Sequence, residues 1–177
     1  MAGSKENISF AHAHLYVIFS RNLDSVTTAA TDGAMWTALK ALFPASAYVN
    51  RASSVSLVVQ NANTIPIQNM GAESEQKMAG LPSLSDGIVE VGWVNDSAVI
   101  KSMVGKTVGD DIAVCLVLNS DDSATKTNPL TDSTEATAAL FGGTVASVEP
   151  IAPEPGTRAM VRVTVAGDAK TIVLDQA

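Results

Sequence analysis

Apolar and polar positions alternate along more of this chain than they recur at helical spacing, a pattern that predicts a mainly β protein with one substantial helix. Ile8–Ser20 predicts a first strand, with Phe10, His12, His14 and Tyr16 on one face. Met35, Leu39, Leu42 and Phe43 recur at helical spacing and predict a helix over Met35–Phe43. Thr31 or Asp32 caps it and Pro44 stops it, because proline has no N–H to continue the ladder. Ser54–Gln60 alternates so that Val55, Leu57 and Val59 point inward, and a turn at Asn61–Asn63 leads into Ile65–Met70. Gly71–Ala79, with Glu73, Glu75 and Lys77, reads as a solvated loop. Gly80-Leu81-Pro82 and Asp86-Gly87 then punctuate the approach to a strand over Ile88–Trp93. Asn95 or Asp96 is placed to N-cap a helix of about two turns that ends at Val104. Ile112–Leu118 follows, apolar on both faces.

The clearest β signal lies near the end of the chain. Ala159, Val161, Val163 and Val165 share one face of a strand while Met160, Arg162 and Thr164 share the other. Pro153–Gly156 supplies the turn before it, and Lys170–Leu174 adds a short terminal strand. Trp36 and Trp93 follow the apolar pattern of their elements and are expected in the core. Together these elements predict a β-sandwich or partly open barrel of about seven or eight strands, with one packed helix and one short helix. The length of 177 residues suits a single domain over 1–177.

Composition sharpens the picture. Hydrophobic residues make up 46% of the chain, which argues for a packed core and against disorder. Charged residues are only 16%, where about a quarter is usual, as expected where surface becomes interface. With 11 basic against 18 acidic residues the net charge is −7, which disfavours a basic face for specific nucleic-acid binding. No apolar stretch reaches the roughly 18 residues that a membrane helix needs. Met1–Asn7 is short and polar, and Ile8–Phe19 carries two histidines without a small-residue cleavage site, a poor match to a signal peptide. The expectation is a protein assembled in a cytoplasm, without membrane partners.

The chain offers little chemistry. His12 and His14 would point the same way in a strand, but apart from Cys115 no other His or Cys is available to complete a metal site. Cys115 lies inside an apolar run, where a free cysteine behaves as a small hydrophobe; its nearest charged neighbours, Asp110 and Asp111, oppose a thiolate. The adjacent pairs Asp110-Asp111 and Asp121-Asp122 have diverging side chains and do not form an acid–base couple. No G-x-S-x-G elbow occurs, and Gly142-Gly143 reads as a bulge or a tight approach rather than a phosphate cradle. No catalytic, cofactor or metal residue is assigned, and the chain is not expected to be an enzyme.

Two stretches carry a family resemblance. Ala79–Leu118, AGLPSLSDGIVEVGWVNDSAVIKSMVGKTVGDDIAVCLVL, joins a Gly-Leu-x strand, a short helix and an apolar strand. Ala138–Gly167, AALFGGTVASVEPIAPEPGTRAMVRVTVAG, joins a Phe-Gly strand bearing T-V-x-S-x-E to a strongly alternating strand. In this order of elements the chain resembles the major tail tube proteins of long-tailed (siphovirus-like) bacteriophages, over roughly Ser54 to Gly167. The resemblance implies hexameric rings in which one sheet of each copy joins a continuous inner barrel. The rings stack into the tail tube of the virion, which conveys DNA during ejection. A lining that does not bind phosphate would let DNA slide.

The partners implied are further copies of the chain, a tape measure protein and a tail terminator; no cofactor is implied. Ile88–Trp93 and Arg158–Ala166 are the candidate barrel wall, carrying Ile88, Glu90, Arg158, Met160, Arg162 and Thr164 as subunit-interface residues. The long polar loop Asn119–Glu135, with Asn128 and Leu130, is the candidate inter-ring or inter-subunit contact. Met1–Asn50, where a helix directly follows the first strand, departs from the family pattern. Two alternatives therefore stand beside it, a capsid decoration or cement protein and a cytosolic ligand-binding β-domain.

Overall fold

The computed structural model describes residues 13–49, 52–67, 76–93, 97–119, 130, 136–153, 156 and 158–176. Among the described residues, ten strands and three α-helices follow in the order β1 (Ala13–Ile18), α1 (Asp24–Thr27), α2 (Asp32–Leu42), β2 (Tyr48–Val49), β3 (Ala52–Ser56), β4 (Gln60–Ile67), β5 (Gln76–Leu84), β6 (Gly87–Gly92), α3 (Ala98–Val104), β7 (Asp111–Asn119), β8 (Ala136–Ile151), β9 (Met160–Gly167) and β10 (Ile172–Asp175). Eight of the strands form one antiparallel sheet in the order β2-β1-β7-β8-β9-β6-β3, with β10 also paired to β8. The other two, β4 and β5, pair with each other as a separate ribbon.

β8 organises the sheet because it serves two sets of partners. Its first half pairs with β7 from Ala136 to Thr144 and with β10 from Thr137 to Leu140. Its second half pairs with β9 from Gly143 to Ile151, with one extra residue between Val145 and Ser147. That bulge sharpens the local twist and lets the sheet fold over on itself. The inward residues of both halves meet in one core: Leu15, Val17, Ile112, Val114 and Phe141 from one side, Val89, Val91, Val161, Val163 and Val165 from the other. Val99, Ile100 and Met103 of α3 join it. The result is the mainly β sandwich that the alternation predicts.

A second core lies on the opposite face of β1, β7 and β8. Tyr16, Ala113, Cys115, Val117, Ala138 and Leu140 pack there with Val26 of α1 and with Trp36 and Leu39 of α2. This accounts for the apolar character of Ile112–Leu118 on both faces: one face meets the folded-over sheet and the other meets helices. His14 shares the Tyr16 face and its Nδ1 lies 3.1 Å from the hydroxyl of Tyr48. Cys115 is fully buried, and burial pushes its thiol well above the ordinary value. Thr31 is the cap of α2, its hydroxyl accepting the Ala34 N–H at 3.2 Å, and the helix runs to Leu42 just before Pro44. Such a cap contributes about 1 kcal/mol.

Several expectations are corrected. The strand ends at Ser56, so the alternation breaks: Val58 turns into the core at 2% exposure while Val59 faces solvent at 56%. Val58 is held there by its carbonyl, which accepts from both the backbone N–H and the hydroxyl of Thr171. Asn61–Asn63 is no turn but part of β4, and 76–79, read as loop, belongs to β5 together with Gly80-Leu81-Pro82. Ser97, not Asn95 or Asp96, caps α3, its hydroxyl accepting from Ile100 N–H; residues 94–96 lie outside the described residues. Trp93 stands at the end of β6 with 43% of its surface exposed, whereas Trp36 is buried. Phe10 and His12 lie outside the described residues.

Candidate assembly surface

Folding the sheet over leaves one four-stranded face uncovered, that of β3, β6, β9 and the second half of β8. Alternation sends the valines of these strands inward and their polar residues outward, together with Ile88, Met160 and Ile151. Cross-strand pairing then aligns the outward residues in rows. Ser54 stands opposite Glu90, Glu90 opposite Arg162, and Arg162 opposite Glu149. Beside this row lie Ile88, Thr164 and Ser147, and on its other side Gly92, Met160 and Ile151. Of the residues expected on the barrel wall, Ile88, Glu90, Met160, Arg162 and Thr164 therefore share one face. Arg158 is exposed just before β9, outside the strand.

Hydrogen bonds join the first three residues of the central row, and a longer ion pair reaches the fourth. Ser54 donates its hydroxyl to Glu90 Oε2 at 2.7 Å, and Arg162 Nε donates to Glu90 Oε1 at 2.8 Å. A second guanidinium nitrogen of Arg162 lies 2.7 Å from the same oxygen. Its remaining nitrogen is 3.9 Å from Glu149, which also accepts from Ser147 at 3.3 Å. The Ser54 hydroxyl first, and then the Arg162 guanidinium, hold the Glu90 carboxyl below its ordinary value. Ser54 and Ser147 escaped the sequence reading, because serines carry no chemical signal until pairing places them beside carboxylates.

The depressed Glu90 carboxyl gives a pH test. A lowered folded value means that the row stabilises the protein above the unfolded glutamate value of about 4.3 and loses that contribution as pH falls through the folded value. Arg162 is 42% exposed, so solvent screening limits the row to about 1 kcal/mol. Arg162→Ala is expected to lower the melting temperature at neutral pH and to lose that difference in acid. A difference unchanged with pH, measured by circular dichroism melts, would refute this account.

The other candidate contact, 119–135, lies almost wholly outside the described residues, Asn128 included. Asn119 ends β7, and the other exception is Leu130. Its side chain is fully buried in the helix-side core, and its backbone N–H donates to the Tyr16 hydroxyl at 3.1 Å. Leu130 thus anchors its segment to the subunit and is not a surface residue.

A feature that sequence reasoning missed is the β4–β5 ribbon. It leaves the sheet after β3, returns before β6 and pairs with neither. Leu81 at 87% exposure and Leu84 are exposed on it, and so is Val59 directly before it. Among the described residues no group of three or more His, Cys, Asp and Glu is placed to hold a metal ion.

No protein-family model and no curated protein sequence matches the chain. Solved structures do. A chain from the sheath–tube complex of the PVC extracellular contractile injection system aligns with TM-score 0.55 at 14% identity, covering 98% of this chain and 93% of that one. A chain from the sheath/tube terminator of the same system gives TM-score 0.56 at 14% identity, covering 99% and 100%. One from the anti-feeding prophage baseplate gives 0.56 at 10%, covering 97% of each. These neighbours come from contractile particles, not from the siphovirus-like phages named by the sequence resemblance. At such identities the likeness is one of fold, and it spans nearly the whole chain: this is a mainly β protein with the tail-tube-like fold of components of phage tail-like injection particles.

Proposed function

We propose that the chain is a tube subunit whose copies join into rings, six to a ring as the sequence resemblance implies, and that the rings stack into a hollow tail tube. The observation that carries this reading is the four-stranded face described above, buried on one side, bearing the Ser54–Glu90–Arg162–Glu149 row on the other, and open at both lateral edges among the described residues. A sheet with free edges is a template for pairing, and closure into a barrel removes the edges altogether. Strand direction favours closure. The four strands alternate, so β3 and β8 run oppositely. Under cyclic symmetry the β8 of one copy and the β3 of the next are then also antiparallel, and the ladder continues across every junction.

The polar face then lines the bore. Its central row carries Glu90 and Glu149 against Arg162, one net negative charge per copy, which supports the passage of a polyanion such as DNA without capture. The β4–β5 ribbon is the element suited to reach an adjoining ring. A tape measure protein within the bore and a terminator at the end of the tube are the partners that the resemblance adds. A second reading is an end ring that stops growth, favoured by the alignment along the full length of a chain from a sheath/tube terminator.

Electron microscopy of the purified protein over a concentration series separates these readings. Hollow tubes without added partners support the tube subunit. Single rings that never stack support the end ring. Dispersed small particles at every concentration overturn both and favour a decoration protein that needs a preformed shell.

A further inference from the structure

The β4–β5 ribbon pairs with no other strand among the described residues, yet its root is tied down. Two short links carry it, 57–59 from β3 and 85–86 into β6. The links are bonded to each other: the Val59 N–H donates to the Ser85 hydroxyl and the Ser85 N–H to the Val59 carbonyl, both at 2.9 Å. Val58 then fixes the pair to the sandwich. Its buried side chain fills a notch between two glycines, Gly87 at the start of β6 and Gly167 at the end of β9. A methyl at 167 would lie 2.7 Å from both Val58 γ-carbons, and one at 87 would lie 3.2 Å from one of them. Both distances are closer than carbon atoms pack, so the notch exists only because these residues lack a Cβ. The Val58 carbonyl accepts the Thr171 N–H at 3.0 Å and the Thr171 hydroxyl at 2.9 Å. Thr171 directly precedes Ile172, which pairs with Leu140 of β8. The anchor points thus belong to β6, β9 and the approach to β10, all parts of the large sheet.

We infer that this clamp is a positioning device, with Val58 as its pin and Thr171 as a positioning residue, which holds the ribbon in one direction before any partner arrives. A two-stranded ribbon is marginal by itself in water, and short unpaired links alone would let it swing. An element already held in its docking direction loses less conformational entropy on contact, so the same surface binds more tightly. In a swinging ribbon only the fraction pointing the right way is competent, and apparent affinity falls by that fraction. The inference rests on the tube reading for what the ribbon meets, but not for the clamp itself.

Two measurements on the full chain test it: amide hydrogen exchange of the unassembled protein, and the lowest concentration at which tubes form. Thr171→Val keeps the shape and the backbone bond but removes the hydroxyl donor. Loss of one neutral hydrogen bond should speed exchange of the ribbon amides about fivefold, while β6 and β9 keep their protection. Gly167→Ala drives Val58 from the notch and should speed ribbon exchange further and raise the assembly concentration. Adding Val58→Ala makes room for the new methyl, so the double variant is expected to recover ribbon protection and assembly relative to Gly167→Ala alone. Loss of buried methyls ordinarily lowers stability, so that recovery would mark Val58 as the pin. Unchanged ribbon exchange in both single variants, or a ribbon unprotected in the native chain, would overturn the clamp. Equal acceleration in β6 and β9 would overturn it in favour of ordinary core packing. Faster ribbon exchange with an unaltered assembly concentration would overturn its part in docking and leave the tube reading standing. A native chain that forms no tubes would sink the tube reading, while the exchange result still decides the clamp.

Discussion

Gly143→Val is expected to prevent the sheet from forming. A Cβ at this position would overlap the Ala166 carbonyl oxygen and lie 2.9 Å from its carbon and 3.0 Å from Gly167 Cα. All three are backbone atoms of β9 or its end, held by the pairing of Gly143 with Gly167 and of Thr144 with Ala166. No rotamer change relieves such a contact, and moving β9 would break the ladder it shares with β6. Gly143 also sits where β8 hands over from β7 to β9, so the strain falls on the connection between the two halves of the fold. The loss should reach about 4 kcal/mol or more, a large part of the 5–15 kcal/mol that typically holds a domain together. Urea unfolding followed by circular dichroism measures it, or the absence of soluble protein makes the point directly. Gly33→Ala is the control: nothing lies within 4 Å of its added methyl and it sits in α2, so stability should hold or rise slightly. A Gly143→Val protein as stable as the parent would show that the close approach of β8 and β9 is not needed.

The second large effect concerns assembly and not folding. Replacing residues 61–83 with an Asn-Gly turn joins Gln60 to Leu84, which are already paired, through a two-residue hairpin of the favoured kind. The Val59 N–H bond to Ser85 and both cores remain. Thermal stability should therefore change little, while tube formation is expected to disappear. A two-stranded ribbon is marginal by itself in water, and this one projects with Leu81 almost fully exposed. Covering one such leucine yields roughly 1.5–3 kcal/mol, and a stacked ring repeats that gain once per copy. Tubes of normal length from the shortened protein would remove the ribbon from the inter-ring contact and return attention to 119–135.

What was legible in the sequence follows the distribution of burial. Ile112–Leu118 and Ala159–Val165 could be read because their faces meet a core, and burial imposes period on the residues. The valines and polar residues of β9 sort onto the opposite faces expected of them for the same reason. The β4–β5 ribbon could not be read, because it pairs with no other strand among the described residues: Asn61, Asn63, Pro66, Gly80 and Pro82 all sit within it and imitate loop composition. Val59 and Trp93 escape the pattern because each stands outside a strand, Val59 three residues past the end of β3 and Trp93 directly after β6, where the period no longer governs direction. Ser97 was passed over for Asn95 and Asp96, although it is an equally good cap and directly precedes the helix. The assembly face was legible residue by residue, but its bonded row was not, since register decides which serine meets which carboxylate.

The Tyr16–Leu130 bond has a consequence for the entropy of the chain between β7 and β8. A free connection from 120 to 135 would be a single closure, whose cost grows only slowly with length. Fixing Leu130 inside the core divides it into two unequal spans, 120–129 and 131–135, each tied at both ends to buried structure. Residues added within 120–129 lengthen a loop that is already closed, and each doubling of its length costs only about 0.6 kcal/mol. The connection between β7 and β8 is therefore the place where this subunit can carry an inserted peptide, provided that Leu130 keeps its seat in the core.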